Sequence, residues 1–340
     1  MNPTVLITGG AGFIGYHLVK EVLKNTNWNI QVIEGLNYAT DLSKLASEIA
    51  TSGYSDRVTF WYHDLRAPIP DEMVIGLGNP EVIFNVASGS HVDRSIAQPV
   101  PFIENNVALV LNMLEYARKV KPRAFIQVST DEVYGSAPPD YSNLEWDSIM
   151  PSNPYAASKA AQEAIAISYW RTYGVPVVIT NTMNNFGENQ NKEKFIPLVV
   201  EKILTGEPLS VHGTFKGEKF VSGSRVWLHA ENHAHALVHI VNNCRIHSFA
   251  DGDHFPLRLH VSGEEDLTNL EIVKRASKIL GLSANLVLED YHGSRPGHDL
   301  RYSLDGSTLR HEHEWVPPRS FEDSFEATVL SLAKSHWDSQ

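Results

Sequence analysis

The stretch that most restricts the fold is Thr4-Val5-Leu6-Ile7-Thr8-Gly9-Gly10-Ala11-Gly12-Phe13-Ile14-Gly15. Residues 4–8 read as a short buried strand. They run straight into glycines at 9, 12 and 15, and then into Tyr16-His17-Leu18-Val19-Lys20-Glu21-Val22-Leu23, which has helical periodicity. A strand, a glycine turn and a helix in that order let the backbone approach a pyrophosphate. The free amides and the dipole of the helix N-terminus favour such an anion. An ordinary tight turn is the alternative, and the flanking strand and helix argue against it.

The following segments repeat the pattern. A second strand at 30–33 ends at Glu34, where a carboxylate accepts hydrogen bonds from an adenosine ribose and repels a 2′-phosphate, favouring NAD over NADP. A third at 57–61 leads to His63-Asp64-Leu65, where Asp64 can bond an adenine amino group. A fourth, at 81–87, ends in the small residues Ser88-Gly89-Ser90, which let a cofactor lie close. Then come a long helix at 98–120, a strand at 124–129, a helix at 155–173 and a strand at 176–180. This alternation predicts an α/β fold built on a doubly wound parallel sheet, with ligands at the carboxyl ends of its strands.

After Glu188 the pattern loosens into short strands and helices, and residues 214–224 read as a flexible loop. The expected organisation is an NAD-binding domain over 1–186, to which 225–250 returns, and a smaller α/β substrate-binding domain from 187–224 and 251–340. A formal net charge of −12 argues against nucleic acid as the main partner, although local basic pockets can still hold a phosphorylated small molecule. The single cysteine, Cys244, excludes intrachain disulfides and suits a reducing cytoplasm. There is no charged-then-apolar leader, and no apolar run reaches the roughly 18 residues a membrane span needs. No membrane association is expected, and the expected compartment is the cytoplasm. His229, His233, His235 and His239 fall in two i,i+4 pairs, but no Cys or carboxylate completes a tetrahedral set. They are expected to be solvated helix histidines, as are His311 and His313, and no metal is expected.

Two short segments carry candidate chemistry. Ser129-Thr130-Asp131-Glu132-Val133-Tyr134-Gly135 comes directly off the buried strand 124–128. Adjacent carboxylates raise each other's cost of ionisation, so one is pushed toward its protonated form. An acid beside a base is what a proton-shuffling elimination requires. In Tyr155-Ala156-Ala157-Ser158-Lys159 the phenol and the ammonium are four apart, on one helical face. A nearby ammonium would pull the phenol pKa down toward working pH and make Tyr155 a base toward a sugar hydroxyl.

With these segments in view, the chain resembles the extended short-chain dehydrogenase/reductase family, specifically the nucleotide-sugar 4,6-dehydratases of the dTDP-glucose type. The likeness spans essentially the whole length. It rests on the turn at 8–15, Ser-His-Val-Asp-Arg-Ser-Ile at 90–96, Ser-Thr-Asp-Glu-Val-Tyr-Gly at 129–135, Tyr-Ala-Ala-Ser-Lys at 155–159, Asn-Asn-Phe-Gly at 184–187 and Arg-Pro-Gly-His-Asp at 295–299. The resemblance implies a tightly held NAD and a homodimer joined through the helices near 100–120 and 155–173. It places Phe13, Ile14, Glu34, Gly35, Leu36, Asn37, Asp64, Leu65, Val86, Ala87, Ser88, Ser90, Asn105, Tyr155, Lys159 and Asn185 against NAD, beside the turn glycines. By the same likeness Ser90, Thr130, Asn184, Lys194, Phe195, Arg225, Arg295 and His298 would hold a nucleotide-diphosphate hexose. Four departures stand out. Gly89 replaces a usual Glu, Ser210-Val211-His212 replaces a base-lining Pro-Ile-Tyr, the segment before Arg225 is longer, and His260 replaces a pocket Asn. The last three fall where a nucleobase would sit, so the base is open between thymine, uracil or another.

The implied reaction has Tyr155, aided by Lys159 and Thr130, take the proton of the 4-hydroxyl while hydride passes to NAD. Glu132 then removes the hydrogen at carbon 5 and Asp131 protonates the departing 6-hydroxyl, after which the hydride returns to carbon 6 and a proton to carbon 5, giving the 4-keto-6-deoxy sugar. The rivals are a UDP-sugar 4-epimerase or decarboxylase on this scaffold, or a nucleotide-binding regulator without turnover. The Asp131-Glu132 pair speaks against the first two and the complete Thr, Tyr, Lys, Asp and Glu set against the third.

Overall fold

Parallel pairing of β1 (Thr4–Thr8) with both β2 (Asn29–Glu34) and β4 (Val82–Asn85) sets the frame of the molecule. The computed structural model describes residues 2–35, 40–290 and 297–338. Four further strands, β3 (Val58–Tyr62), β5 (Ala124–Thr130), β6 (Val177–Thr182) and β12 (Leu257–Val261), complete a seven-stranded parallel sheet. Its order is β12-β6-β5-β4-β1-β2-β3. The chain moves outward from β1 through β2 and β3, then returns to the other side of β1 at β4. That reversal opens a crevice at the carboxyl ends of β1 and β4.

Alternate side chains of each strand feed two separate cores. Val5, Ile7, Val32 and Ile126 pack under α1 (Phe13–Asn25) and α8 (Ala230–Asn243). Leu6, Ile33, Ile83 and Phe125 pack under α5 (Pro99–Val120) and α6 (Pro154–Tyr173). Coverage of both faces explains why β4, β5 and β6 are buried along their whole length. Three shorter helices, α2 (Leu42–Ser52), α3 (Asp71–Leu77) and α4 (Val92–Ala97), complete the crossovers.

The tight turn after β1 depends on glycine. Gly9 has φ +69°, and a Cβ on Gly15 would sit 2.0 Å from the Gly9 carbonyl oxygen. Such closeness lets α1 start directly over the end of β1, and Gly12 caps it with no side chain of its own.

A third core lies between α7 (Phe195–Thr205), β8 (Pro208–Lys216), α9 (Asn269–Leu280) and the last helix Phe321–Trp337. Here β8 pairs with β9 (Lys219–Ser222) and β14 (Asn285–Asp290). A second small sheet joins β13 (Asp266–Thr268), β10 (Ser224–Val226) and β15 (Arg301–Tyr302), and β7 (Asn185–Phe186) pairs with β11 (Leu228–His229).

Two expectations need correction. Strand 257–261, expected in the smaller domain, is the edge of the central sheet, because its buried Leu259 and Val261 join the core under α1 and α8. Residues 214–224 are no loose loop. They form an antiparallel hairpin turning at Gly217 (φ +63°), with the Phe215 and Phe220 rings paired 5.0 Å apart across it.

Candidate active site

β5 ends inside the protein, so the residues that follow it begin buried. Thr130 closes the strand and Asp131–Tyr134 form a single 3₁₀ turn, capped by Thr130 Oγ1 accepting from the Glu132 amide at 3.3 Å. Gly135 releases the turn at φ +73°, where a Cβ would meet the Met150 carbonyl oxygen at 2.3 Å. Asp131 is only 2% exposed. Its Oδ1 accepts from Thr130 Oγ1 at 2.8 Å, while its buried Oδ2 has no partner among the described residues. Burial, and then the charge of Glu132, push this carboxyl up to about 7. Glu132 is also raised, first by burial, although Asn153, Arg225 and Lys194 work against the rise. Its Oε2 accepts from Asn153 Nδ2 at 3.0 Å and from the Tyr302 hydroxyl at 3.4 Å.

α6 carries Tyr155 and Lys159 to the same place. Asn153 caps the helix by accepting from the Ala156 amide at 2.9 Å, and Pro154 occupies its first turn, where no N–H is needed. The Tyr155 phenol sits with Thr130, Glu132 and Asp131. Burial and the two carboxylates raise its pKa above the ordinary value, with the Thr130 hydrogen bond opposing them. The expectation that Lys159 pulls the phenol down does not hold in this arrangement. The ammonium is buried and donates to the Val128 carbonyl at 2.7 Å and to Gln162 Oε1 at 2.6 Å. Its own pKa falls to about 7, because burial outweighs the attraction of Glu163.

Buried side chains tie this wall to the glycine turn. Gln127 donates to the same Gln162 oxygen and accepts from Asn85, which accepts from Thr8 at 3.0 Å. Behind it, fully buried Glu163 accepts from Ser129, Asn181 and Arg258, the last at 2.8 Å. Glu163 lies one helical turn beyond Lys159, and that i,i+4 spacing was the available sequence signal for it. Asn153, immediately before Pro154, was readable as a helix cap but not as a partner of Glu132.

At the crevice between β1 and β4 a cavity of about 350 Å³ is lined by the expected Gly9, Glu34, Gly35, Asp64, Leu65, Ala87, Ser88 and Asn105. Arg66 and Phe102, not anticipated, line it too. Glu34 is held by the Ala11 amide at 2.9 Å and the Gly35 amide at 3.2 Å, so its carboxylate stands fixed at the end of β2. Asp64 is clasped by Arg66, with Nε 3.0 and 2.9 Å from its two oxygens. Gly12, Phe13, Ile14 and Gly15 form the turn and the first residues of α1, and the Val86 amide donates to Thr8 Oγ1. Gly89 has its N–H and C=O both bonded to Asn106, and a Cβ there would press on the Phe102 ring at 3.1 Å. A side-chain-free turn, an uncapped helix start, a fixed carboxylate and a cavity at the switch point together fit a dinucleotide.

The other expected ligand residues divide. Lys194 donates to the Ser90 carbonyl at 3.1 Å and is close enough to Glu132 to oppose its neutralisation. Phe195 stacks on Trp227, and the Asn184 carbonyl accepts from Leu228. Arg225 lies 4.4 Å over the Tyr302 ring, and His298 pairs with Asp93 at 2.9 Å. Ser210 and His212, on one face of β8, both meet Glu289 of β14, whereas Val211 points into the third core. Asn185 spends its amide on Thr182, Met183 and His233. His260 cannot line a pocket: it is fully buried, with one ring nitrogen on the Tyr134 hydroxyl at 2.9 Å and the other on the Asp305 carbonyl at 3.0 Å. Leu36, Asn37 and Arg295 lie outside the described residues.

Of the helix histidines, His229 and His233 are buried and His235 and His239 are half-buried. His229 pairs with Glu188, His233 with Asn185, His235 accepts the Trp315 indole N–H and His239 meets the His313 carbonyl, because this stretch of α8 packs on α1 and the C-terminal segment. Among the described residues no group of three or more His, Cys, Asp or Glu could hold a metal, and no helix is long and apolar enough to cross a membrane.

The family model for GDP-mannose 4,6 dehydratase matches residues 6–328. The chain is 34% identical over 360 residues to a dTDP-glucose 4,6-dehydratase of Escherichia coli, covering 98% of this chain and 92% of that one. It is 36% identical over 351 residues to a probable dTDP-glucose 4,6-dehydratase of Sinorhizobium fredii, with 98% and 93% covered. Among solved structures it superposes on the Streptomyces venezuelae dTDP-glucose 4,6-dehydratase DesIV, crystallised with NAD, at a TM-score of 0.85, 33% identity and 98% of both chains. The Bacillus anthracis dTDP-glucose 4,6-dehydratase, also with NAD, gives 0.83 at 29% identity, again over 98% of both.

Proposed function

Because the chain belongs to the GDP-mannose 4,6-dehydratase family, we propose that it is an NAD-dependent hydro-lyase converting a nucleoside-diphosphate hexose, foremost dTDP-glucose, to its 4-keto-6-deoxy form. One observation carries the reading: a carboxyl whose pKa is raised to about 7 keeps a buried, unpartnered oxygen beside a second, hydrogen-bonded carboxylate. That pairing is an acid and a base within one turn of chain, which elimination of water needs and simple epimerisation does not.

The dinucleotide would lie on the glycine turn, with Glu34 at its adenosine ribose and the 86–90 segment along its length. When bound it supplies a hydride acceptor and a positive charge at the nicotinamide end. As a phenolate, favoured by that positive charge and by the Thr130 hydrogen bond, Tyr155 would take the proton of the sugar's 4-hydroxyl. Glu132 takes the proton from carbon 5 once carbon 4 is a ketone. Asp131 delivers its proton to the departing 6-hydroxyl, so that one C–O bond breaks and one water leaves; the hydride given up at carbon 4 would then return to carbon 6 and Glu132 would give a proton back to carbon 5, which leaves the 4-keto-6-deoxy sugar with no net oxidation. Lys194, Arg225 and His298 would bind the diphosphate sugar, Arg225 by turning toward its phosphate oxygens guanidinium donors that the Ser224, Leu300 and Asp299 carbonyls hold here. Lys159 holds the end of β5 against α6 through Val128 and Gln162, and so fixes the phenol's position.

The expected setting is the cytoplasm and the expected assembly a homodimer. Packing of α5 on α6 supports the dimer, because it leaves Val100, Leu111 and Tyr173 exposed on those two helices.

Incubation with dTDP-glucose, UDP-glucose and GDP-mannose in parallel tests the reading. The expected product is lighter than its substrate by one water and carries a 4-keto group, with free NAD unchanged. A product of unaltered mass epimerised at carbon 4 would sink it.

A further inference from the structure

Asn153 does more than cap a helix. It is 6% exposed, and its amide serves three elements at once. Oδ1 accepts from the Ala156 amide at the start of α6. Nδ2 donates both to Glu132 Oε2 at 3.0 Å and to the Gly297 carbonyl at 3.2 Å. Gly297 lies so close that a Cβ on it would come within 3.1 Å of the Ser152 carbonyl oxygen and 3.4 Å of Asn153 Cβ. From the opposite side the hydroxyl of Tyr302, 3% exposed, donates to the same Oε2 at 3.4 Å. No described residue donates to Oε1.

We propose that Asn153 and Tyr302 are positioning residues that hold Oε2 of Glu132 and leave Oε1 as the oxygen that takes the proton from carbon 5. The inference rests on the role given to Glu132 above. An oxygen carrying two donors has its lone pairs engaged, and the free oxygen of the same carboxylate keeps the better lone pair for a new proton. Asn153 reaches the base from the helix that bears Tyr155, and Tyr302 reaches it from the small sheet that bears Arg225. The base is therefore registered against both the phenol and the sugar-binding residues by a single shared oxygen. Sequence spacing cannot show this, because residues 132, 153 and 302 meet only in the folded chain.

A helix cap alone would be satisfied equally by serine, which accepts from the same amide but cannot reach Glu132 as an amide nitrogen does. Asn153→Ser is thus the discriminating variant, and Tyr302→Phe is the second, since it keeps the ring under Arg225. Both would be assayed as full-length NAD-bound protein with dTDP-glucose. Two readouts are followed: transient nicotinamide reduction for the first step and solvent-deuterium uptake at carbon 5 for proton removal. Asn153→Ser should slow proton removal by about ten- to a hundredfold, the worth of one hydrogen bond to a charged group, with the first step unchanged. Its acid limb should move to higher pH, because the ionised carboxylate has lost a donor. Tyr302→Phe should shift the limb the same way by less, as its bond is longer. An unmoved acid limb in both variants, or equal slowing of both steps, would overturn the proposal and leave Asn153 a cap. If native protein takes up no deuterium at carbon 5 from any of the three sugars, the dehydratase reading itself fails, a result distinct from an unmoved limb in an active enzyme.

Discussion

Asp131→Asn should separate the acid from the base. The amide has the shape of the carboxyl and can still accept from Thr130, but it has no proton to deliver. Positioned general acids typically contribute 10²–10⁴-fold, so elimination should slow by about that factor at pH 6. The size of the effect should depend on pH in a way set by the site. With a pKa near 7, Asp131 is about nine-tenths protonated at pH 6, about one-tenth at pH 8 and about one-hundredth at pH 9. Native elimination should therefore fall about tenfold per unit above pH 7, whereas the variant should be flat there, so the gap closes by about a hundredfold at pH 9. Stability should move the opposite way. The carboxyl ionises near 7 when folded and near 3.9 when unfolded, so the folded state is increasingly penalised as pH rises from about 4 to about 7 and carries the full penalty above. Asp131→Asn removes that penalty and should raise stability at pH 8 by up to about 4 kcal/mol, with the gain vanishing toward pH 4. Rapid-quench mass analysis of water loss, read beside nicotinamide absorbance for the first step, and urea melts at pH 4 and pH 8 measure the two effects. A variant that keeps the native alkaline limb, or that loses both chemical steps equally, would refute the assignment of the acid.

Two further outcomes follow from the structure. Glu163→Gln leaves the Arg258 charge buried without its counter-ion (their side chains are 0% and 1% exposed), so urea denaturation should show a loss of about 3–5 kcal/mol; a loss below about 1 kcal/mol would mean the pair is not desolvated as described. Sedimentation equilibrium should give about twice the chain mass, and Leu111→Lys combined with Tyr173→Lys should shift it toward the monomer by placing charges in an apolar contact; a monomeric native protein would dispose of the α5–α6 dimer.

Local pattern made most of the central sheet readable. Apolar residues at the starts of β4, β5 and β6 announce strands covered on both faces, and the glycines announce the turn, most sharply Gly9 at φ +69° and Gly15, where a Cβ would strike the Gly9 carbonyl oxygen. Hairpin 213–222 reads as a loop because its glycines and lysines carry loop composition, while the phenylalanine pair that closes it is a cross-strand contact. Nothing in the five residues of edge strand β12 says which sheet it joins; that is settled by pairing with β6, far earlier in the chain.

The chemistry divides along the same line. Which residue types stand side by side at 129–135 and 155–159 was determined by sequence alone, since neighbours in a chain or on one helical turn remain neighbours after folding. Their protonation was decided by tertiary structure. Lys159 turns toward Val128 and Gln162, the phenol rises beside two carboxylates, and His260, a pocket residue by likeness, is locked between Tyr134 and Asp305. A pKa depends on how much water is excluded and on which distant charges arrive within a few ångströms, and both are properties of the packed chain.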